Sequence, residues 1–115
     1  MKITVSDFGK TAKRVKLVGK LDYEGAEKLE APLANLAGSK TDVVVDMGAV
    51  DFIASIGIRH LVKASKSITR GASKLVLLDP NPMVTEVLLI SGLGQILPIV
   101  RSEDEALAVF SRASI

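Results

Sequence analysis

The chain has 115 residues, a formal net charge of +2, 48% hydrophobic residues and 24% charged residues. That balance suits one compact domain with a sizeable core and excludes an intrinsically disordered chain. Cysteine is absent and aromatic residues make up only 3%, which excludes disulfides, thiolate metal sites and Cys nucleophiles and argues against a base-stacking platform for nucleic acid.

The N-terminal residues MKITVSDFGK read as a strand, with Ile3 and Val5 alternating against polar neighbours, and contain no signal-peptide core. Val15, Leu17 and Gly19 alternate with Arg14, Lys16 and Lys20, predicting a second strand that pairs with the first as an antiparallel hairpin or close neighbour. Ala26, Leu29, Leu33, Leu36 and Ala37 recur at steps of three and four, the spacing of a helix face, and Asp22 is placed to cap that helix. Pro32 predicts a bend near residues 28–32 or a break into two shorter pieces.

Val43-Val44-Val45-Asp46-Met47 is a β-branched run of the kind buried on both faces of a parallel sheet. After Val50–Ile53 the period becomes helical, with Ile58, Leu61, Val62, Ser65 and Ile68 on one stripe and Arg59, Lys63, Lys66 and Arg70 on another. Leu75–Leu78 is another buried strand, followed by Asn81 as helix cap and Pro82 as first helical residue. A short strand is expected within 95–100, at an edge because of Pro98. Ser102-Glu103-Asp104-Glu105 matches a capping box for a last helix with Leu107 and Phe110 inward. The order ββαβαβαβα predicts an α/β domain over 1–115, about five strands and four helices, with a mixed, mostly parallel sheet. The apolar runs are too short to cross a bilayer. The expected location is the cytoplasm, without membrane insertion.

The parts needed for catalysis are missing from the pattern. His60 is the sole histidine and lacks a second ligand at metal spacing. No G-x-S-x-G elbow accompanies Ser55, and no Gly-rich phosphate loop occurs, so neither enzyme chemistry nor a cofactor or metal is expected. The basic stripe of Arg59, Lys63, Lys66 and Arg70 reads equally as a solvated face or as a docking face for an acidic partner. Asp22, Asp46 and Asp51 fall at expected strand ends or loop starts, with Asp51 read as a cap. Ser55 sits where the apolar run gives way to the helix, as its expected N-cap, and Gly57 in the first turn would let a partner or phosphate approach the backbone. Phosphate added at Ser55 would bring a charge of about −1.5 to −2 to that helix start. A plain cap role for Ser55 accounts for the same residues.

The ordered set of Gly19-Lys20-Leu21-Asp22, Val43–Met47, Phe52–Arg59, Ile90–Leu93 and Ser102–Ala106 resembles the STAS domain of the bacterial anti-sigma-factor antagonists. The resemblance implies a non-enzymatic binding protein. In that family, the unphosphorylated antagonist binds an anti-sigma factor that is also a serine kinase, phosphorylation breaks the complex, and a serine phosphatase restores it. It implies a partner surface containing Asp22, Ala54, Ser55, Ile56, Gly57, Arg59 and Lys63, with no direct nucleic-acid contact. The regulated members read D-S-[S/T]-G, whereas this chain reads Ala54-Ser55-Ile56-Gly57. The usual acceptor position is therefore Ile56 and the usual Asp is Ala54. Three readings stay open: Ser55 as a displaced acceptor, an antagonist that the kinase cannot switch, or a STAS subunit of another system such as a lipid-transport ABC complex.

Overall fold

The computed structural model describes residues 1–111. Its elements are β1 (Lys2–Phe8), β2 (Ala12–Leu21), α1 (Tyr23–Gly38), β3 (Val43–Ile53), α2 (Ser55–Arg70), β4 (Leu75–Leu78), α3 (Pro82–Ile90), a 3-10 turn (Leu93–Gln95), β5 (Ile99–Val100) and α4 (Glu103–Ser111). The strands form one sheet in the order β1-β2-β3-β4-β5. β1 and β2 are an antiparallel hairpin, and the remaining neighbours are parallel. Each parallel step needs a crossover long enough to hold a helix, which α1, α2 and α3 supply.

The pleat divides the core. Val43 and Val45 face one way and Val44 the other, as period-2 geometry requires. On the first face, Leu29, Leu33 and Leu36 of α1, Leu61 and Ile68 of α2 and Leu88 of α3 join Val15, Leu17 and Leu21 of β2 and Val43, Val45, Met47, Val50 and Ile53 of β3. On the second face, α4 covers Phe8, Ala12, Val44, Val76, Leu78 and Val100. A run of apolar residues in β3 and β4 therefore reads as continuous because both faces are covered.

Three local expectations need correcting. Pro32 does not split its helix, which runs unbroken from Tyr23 to Gly38. Leu29 and Leu33, both buried, anchor the turns on either side of the proline to the same core. β3 continues past Met47 to Ile53 with an irregular register against β2, so Asp46 and Asp51 lie inside a strand and not at loop starts. Asp46 accepts a hydrogen bond from the Gly48 amide at 3.1 Å and faces Arg14 at 3.6 Å, while Asp51 is exposed and caps nothing. The last strand, Ile99–Val100, falls within the expected 95–100 and at a sheet edge, after a 3-10 turn at Leu93–Gln95.

In α4 the inward stripe is Ala106, Val109 and Phe110, and Leu107 is exposed. The small Ala106 lets the helix approach the sheet, and Phe110 meets the Phe8 ring edge-on at 6.3 Å. Arg14 lies over the Phe8 ring at 5.4 Å and bonds Glu103 at 3.1 Å, tying the start of α4 to β2. Asp22 and Asn81 cap their helices as expected, through bonds from the Gly25 and Val84 amides. The Ser102 hydroxyl likewise accepts from the Glu105 amide at 3.2 Å.

Candidate functional site: the carboxyl edge of the sheet

β2, β3 and β4 run parallel, so their carboxyl ends share one edge. The turns into α1, α2 and α3 leave from that edge, and three helix N-termini gather there. Open α/β sheets place their binding sites at this position, because side chains and amides there converge without belonging to the core.

The pairing of Leu21 with Ile53 brings Asp22 beside Ala54. The Ala54 amide donates to the Leu21 carbonyl at 3.0 Å, which fixes the two strand ends together.

The two starts are built differently. Asp22 is half-buried, and its carboxylate accepts from the Gly25 amide at 3.0 Å. At α2 the N-cap is Ala54, with ψ 165°, and no side chain caps the helix. Ser55 is therefore the first helical residue and not the cap. The reason is the length of β3: its ladder extends to Ile53, so the strand-to-helix junction falls on Ala54. The Ala54 carbonyl accepts from the Gly57 and Ile58 amides at 2.9 and 3.2 Å. Ser55 and Ile56 keep the first amides of the helix, which have no intrahelical acceptor, and no acidic side chain lies in the first turn. The positive end of the helix dipole is left uncompensated there.

Ser55 is exposed, Ile56 is half-buried and Ala54 is half-buried. A hydroxyl on an exposed first-turn residue is accessible to a modifying enzyme, and a phosphate on it would lie beside free helix amides. Gly57 does something other than expected. It is buried, and a Cβ there would lie 2.7 Å from Leu21 Cγ and 2.8 Å from the Leu21 carbonyl oxygen. Its missing side chain lets α2 sit against the end of β2; it does not open the backbone to a partner.

Arg59 is exposed one turn on. Lys63 reaches Glu30 of α1 at 3.4 Å, so its charge is shared across the two helices. His60 lines the same α1–α2 crevice, a hollow of about 70 Å³. Arg59 thus extends the exposed Ser55 side of α2, whereas Lys63 belongs in part to the packing of α1 on α2.

Two neighbours escaped the sequence reading. Tyr23, the residue after the Asp22 cap, is 64% exposed. α3 is the other. Its Asn81 amide group donates to the Val50 carbonyl of β3 at 3.1 Å, which sets its start at the same edge. Only Val84 and Leu88 of that helix are buried, while Met83, Val87, Leu89 and Ile90 are exposed, Ile90 at 79%. The signal was present in PMVTEVLLI, which is apolar everywhere but Thr85 and Glu86: such a helix is either buried or keeps an apolar face for a partner.

The chain is an α/β domain with a mixed, mostly parallel sheet, and it presents an exposed hydroxyl at the uncapped start of α2. The STAS domain profile matches residues 9–106, and the chain belongs to this family. It is 37% identical over 98 residues to BtrV of Bordetella bronchiseptica, which is named as an anti-sigma factor antagonist, with 84% of each chain covered. An anti-sigma factor antagonist from Mycobacterium paratuberculosis has the same fold, with a TM-score of 0.86, 20% identity and coverage of 96% of this chain and 94% of that one. The Bacillus protein SpoIIAA in its phosphorylated form superposes with a TM-score of 0.72 at 20% identity, covering 94% of this chain and 98% of that one.

Proposed function

We propose that this chain is an anti-sigma factor antagonist: a non-enzymatic protein that binds an anti-sigma factor through the carboxyl edge of its sheet. The observation that carries the reading is the start of α2. An exposed Ser55 stands on free helix amides next to the Asp22 turn, at the edge where Tyr23 and Met83 are exposed at the starts of α1 and α3. The family match and the 37% identity to BtrV support the partner class.

Ser55 is the phosphoacceptor in this proposal, displaced by one residue because Ile56 has no hydroxyl. The partner is an anti-sigma factor of the serine-kinase type, and a serine phosphatase restores the unmodified protein. The phosphorylated form of the structural neighbour SpoIIAA supports a phosphoryl group on this fold. The physics is local. A phosphate at Ser55 adds about −1.5 to −2 charge where Ser55 and Ile56 offer amides, so the fold accommodates it. A partner surface that met a neutral hydroxyl then meets a doubly charged group, which costs affinity by repulsion and desolvation. Ala54, Ser55, Ile56 and Arg59, with Asp22 as a fixed neighbour, form the contact, and Gly57 and Lys63 hold α2 in place. Cytoplasmic location follows from the partner class, and no helix among the described residues is long and apolar enough to cross a membrane.

The test is incubation with the cognate kinase and ATP, then intact-mass measurement and peptide mapping. A gain of one phosphate on the Ser55 peptide, lost in Ser55→Ala, is the expected outcome. Partner binding without any phosphorylation would leave an antagonist that the kinase cannot switch. Absence of binding to any anti-sigma factor encoded beside the gene would sink the reading altogether.

A further inference from the structure

The other end of α2 carries a second feature. Between its last two turns and the segment after the 3-10 turn runs a groove. Two adjoining hollows of about 400 and 540 Å³ share Ser65, Thr69 and Ile96. Those volumes fall in the range of small-molecule sites.

Charge comes first. Lys66 and Arg70 line the outer hollow, and no acidic residue lines either one. Neither cation forms an ion pair among the described residues, in contrast to Lys63 on the same helix. Hydroxyls come second. Ser65 and Ser73 are the buried polar residues among those described, at 6% and 7% exposure, and both line the inner hollow. Neither hydroxyl has a hydrogen-bond partner among the described residues, and neither oxygen is sealed from solvent, so both stay open to a ligand in the groove. The floor is third: Leu97, Pro98 and Val109 make it apolar.

Helix geometry aligns these groups. Ser65 and Thr69 are four residues apart, as are Lys66 and Arg70, so a row of hydroxyls runs beside a row of cations. Arg70 also complements the negative end of α2. That role accounts for one cation and leaves the unpartnered hydroxyls and the apolar floor unexplained.

We propose that this groove binds an anionic amphiphile. Its carboxylate or phosphate head lies against Lys66 and Arg70, with the Ser65 and Thr69 hydroxyls donating to it. Its acyl chain covers Ile96, Leu97 and Pro98. The site is separate from the Ser55 edge and stands whether or not that edge binds an anti-sigma factor.

The test is titration of the full chain with decanoate below its micelle concentration, followed by amide chemical shifts. Decanol removes the charge, acetate removes the chain, and vesicles of phosphatidylcholine with phosphatidylglycerol supply the same chemistry as a bilayer. Decanoate should give saturable shifts at Ser65, Thr69 and Ile96, with decanol and acetate binding at least about tenfold more weakly. Lys66→Glu with Arg70→Glu should weaken decanoate binding by about tenfold or more, as should Ile96→Asp at an exposed position. Lys16→Glu, on β2, should change nothing. Decanol binding as tightly as decanoate overturns the proposal, and so does full affinity in the doubly charge-reversed chain. Sedimentation with vesicles and no response to free decanoate overturns it too, and makes the surface a bilayer contact.

Discussion

α1 and α2 invite comparison because they are each 16 residues long and start side by side at one sheet edge. α1 starts with a capping carboxylate, Asp22, and an acidic first turn containing Glu24. α2 starts with Ala54, has no acidic residue in its first turn and has no side-chain cap. α1 uses its N-terminus for its own stability. α2 gives up a cap, a sacrifice of about 1 kcal/mol in most helices, and keeps its first amides and the Ser55 hydroxyl free. The start of α2 is held instead from below, through Gly57 on Leu21 and the Ala54–Leu21 backbone bond. A helix end fixed by packing can present unoccupied polar groups in a rigid position, as a reversible docking point requires.

The largest expected effect falls on that packing. Gly57→Ala places a methyl group within 3 Å of both the Leu21 side chain and its carbonyl oxygen. The carbonyl belongs to a paired strand and cannot move aside, so a loss of about 1–3 kcal/mol is expected in urea denaturation. A parent-like midpoint would mean that α2 is not held by this contact.

Ser55→Asp should leave that stability unchanged or raise it by a few tenths of a kcal/mol, because an acid at a helix start favours the dipole. It should nonetheless weaken anti-sigma factor binding by about tenfold or more, read by calorimetry. Equal affinity would separate the hydroxyl from the interface.

Capping gives the next contrast. Asp22→Ala should cost about 1 kcal/mol, since it removes the bond to the Gly25 amide. Ser55→Ala should stay within about 0.5 kcal/mol of the parent, because Ser55 caps nothing. Similar losses from both would restore Ser55 as a cap and remove the difference between the helices.

The smallest effect lies far from this edge. Asp7 pairs with Lys13 across the β1–β2 hairpin, and the hydrogen bond from that ammonium, with its charge, holds the Asp7 carboxyl below its ordinary value of 3.8. A depressed carboxyl contributes stability above that ordinary value and loses it as pH falls through the folded value. Asp7→Asn should therefore remove a small contribution at neutral pH, leave strongly acidic pH untouched and so slightly flatten the acid limb of the stability profile. High salt should move the Asp7 titration, followed by NMR, back toward 3.8, because the pair is exposed and screened.

Much of this protein follows from its residue pattern. The alternation of period 2 and period 3.6 determined the element order, and the Val43–Val45 and Leu75–Leu78 runs determined which strands are covered on both faces. Asp22 and Asn81 were legible as caps, since their side chains act within three residues of their own position. The placement of Ser55 at the strand-to-helix junction was legible too, but its position as first helical residue was not. Whether the helix begins at 55 or 56 depends on how far β3 pairs with β2, a contact between residues some thirty positions apart. The same holds for Gly57, whose neighbour Leu21 comes from another element, and for Leu107, turned outward by the close seat of Ala106. Local sequence set the propensities and the periodicity. The long-range register of β2 on β3 decided which groups at the helix starts are occupied and which stay free.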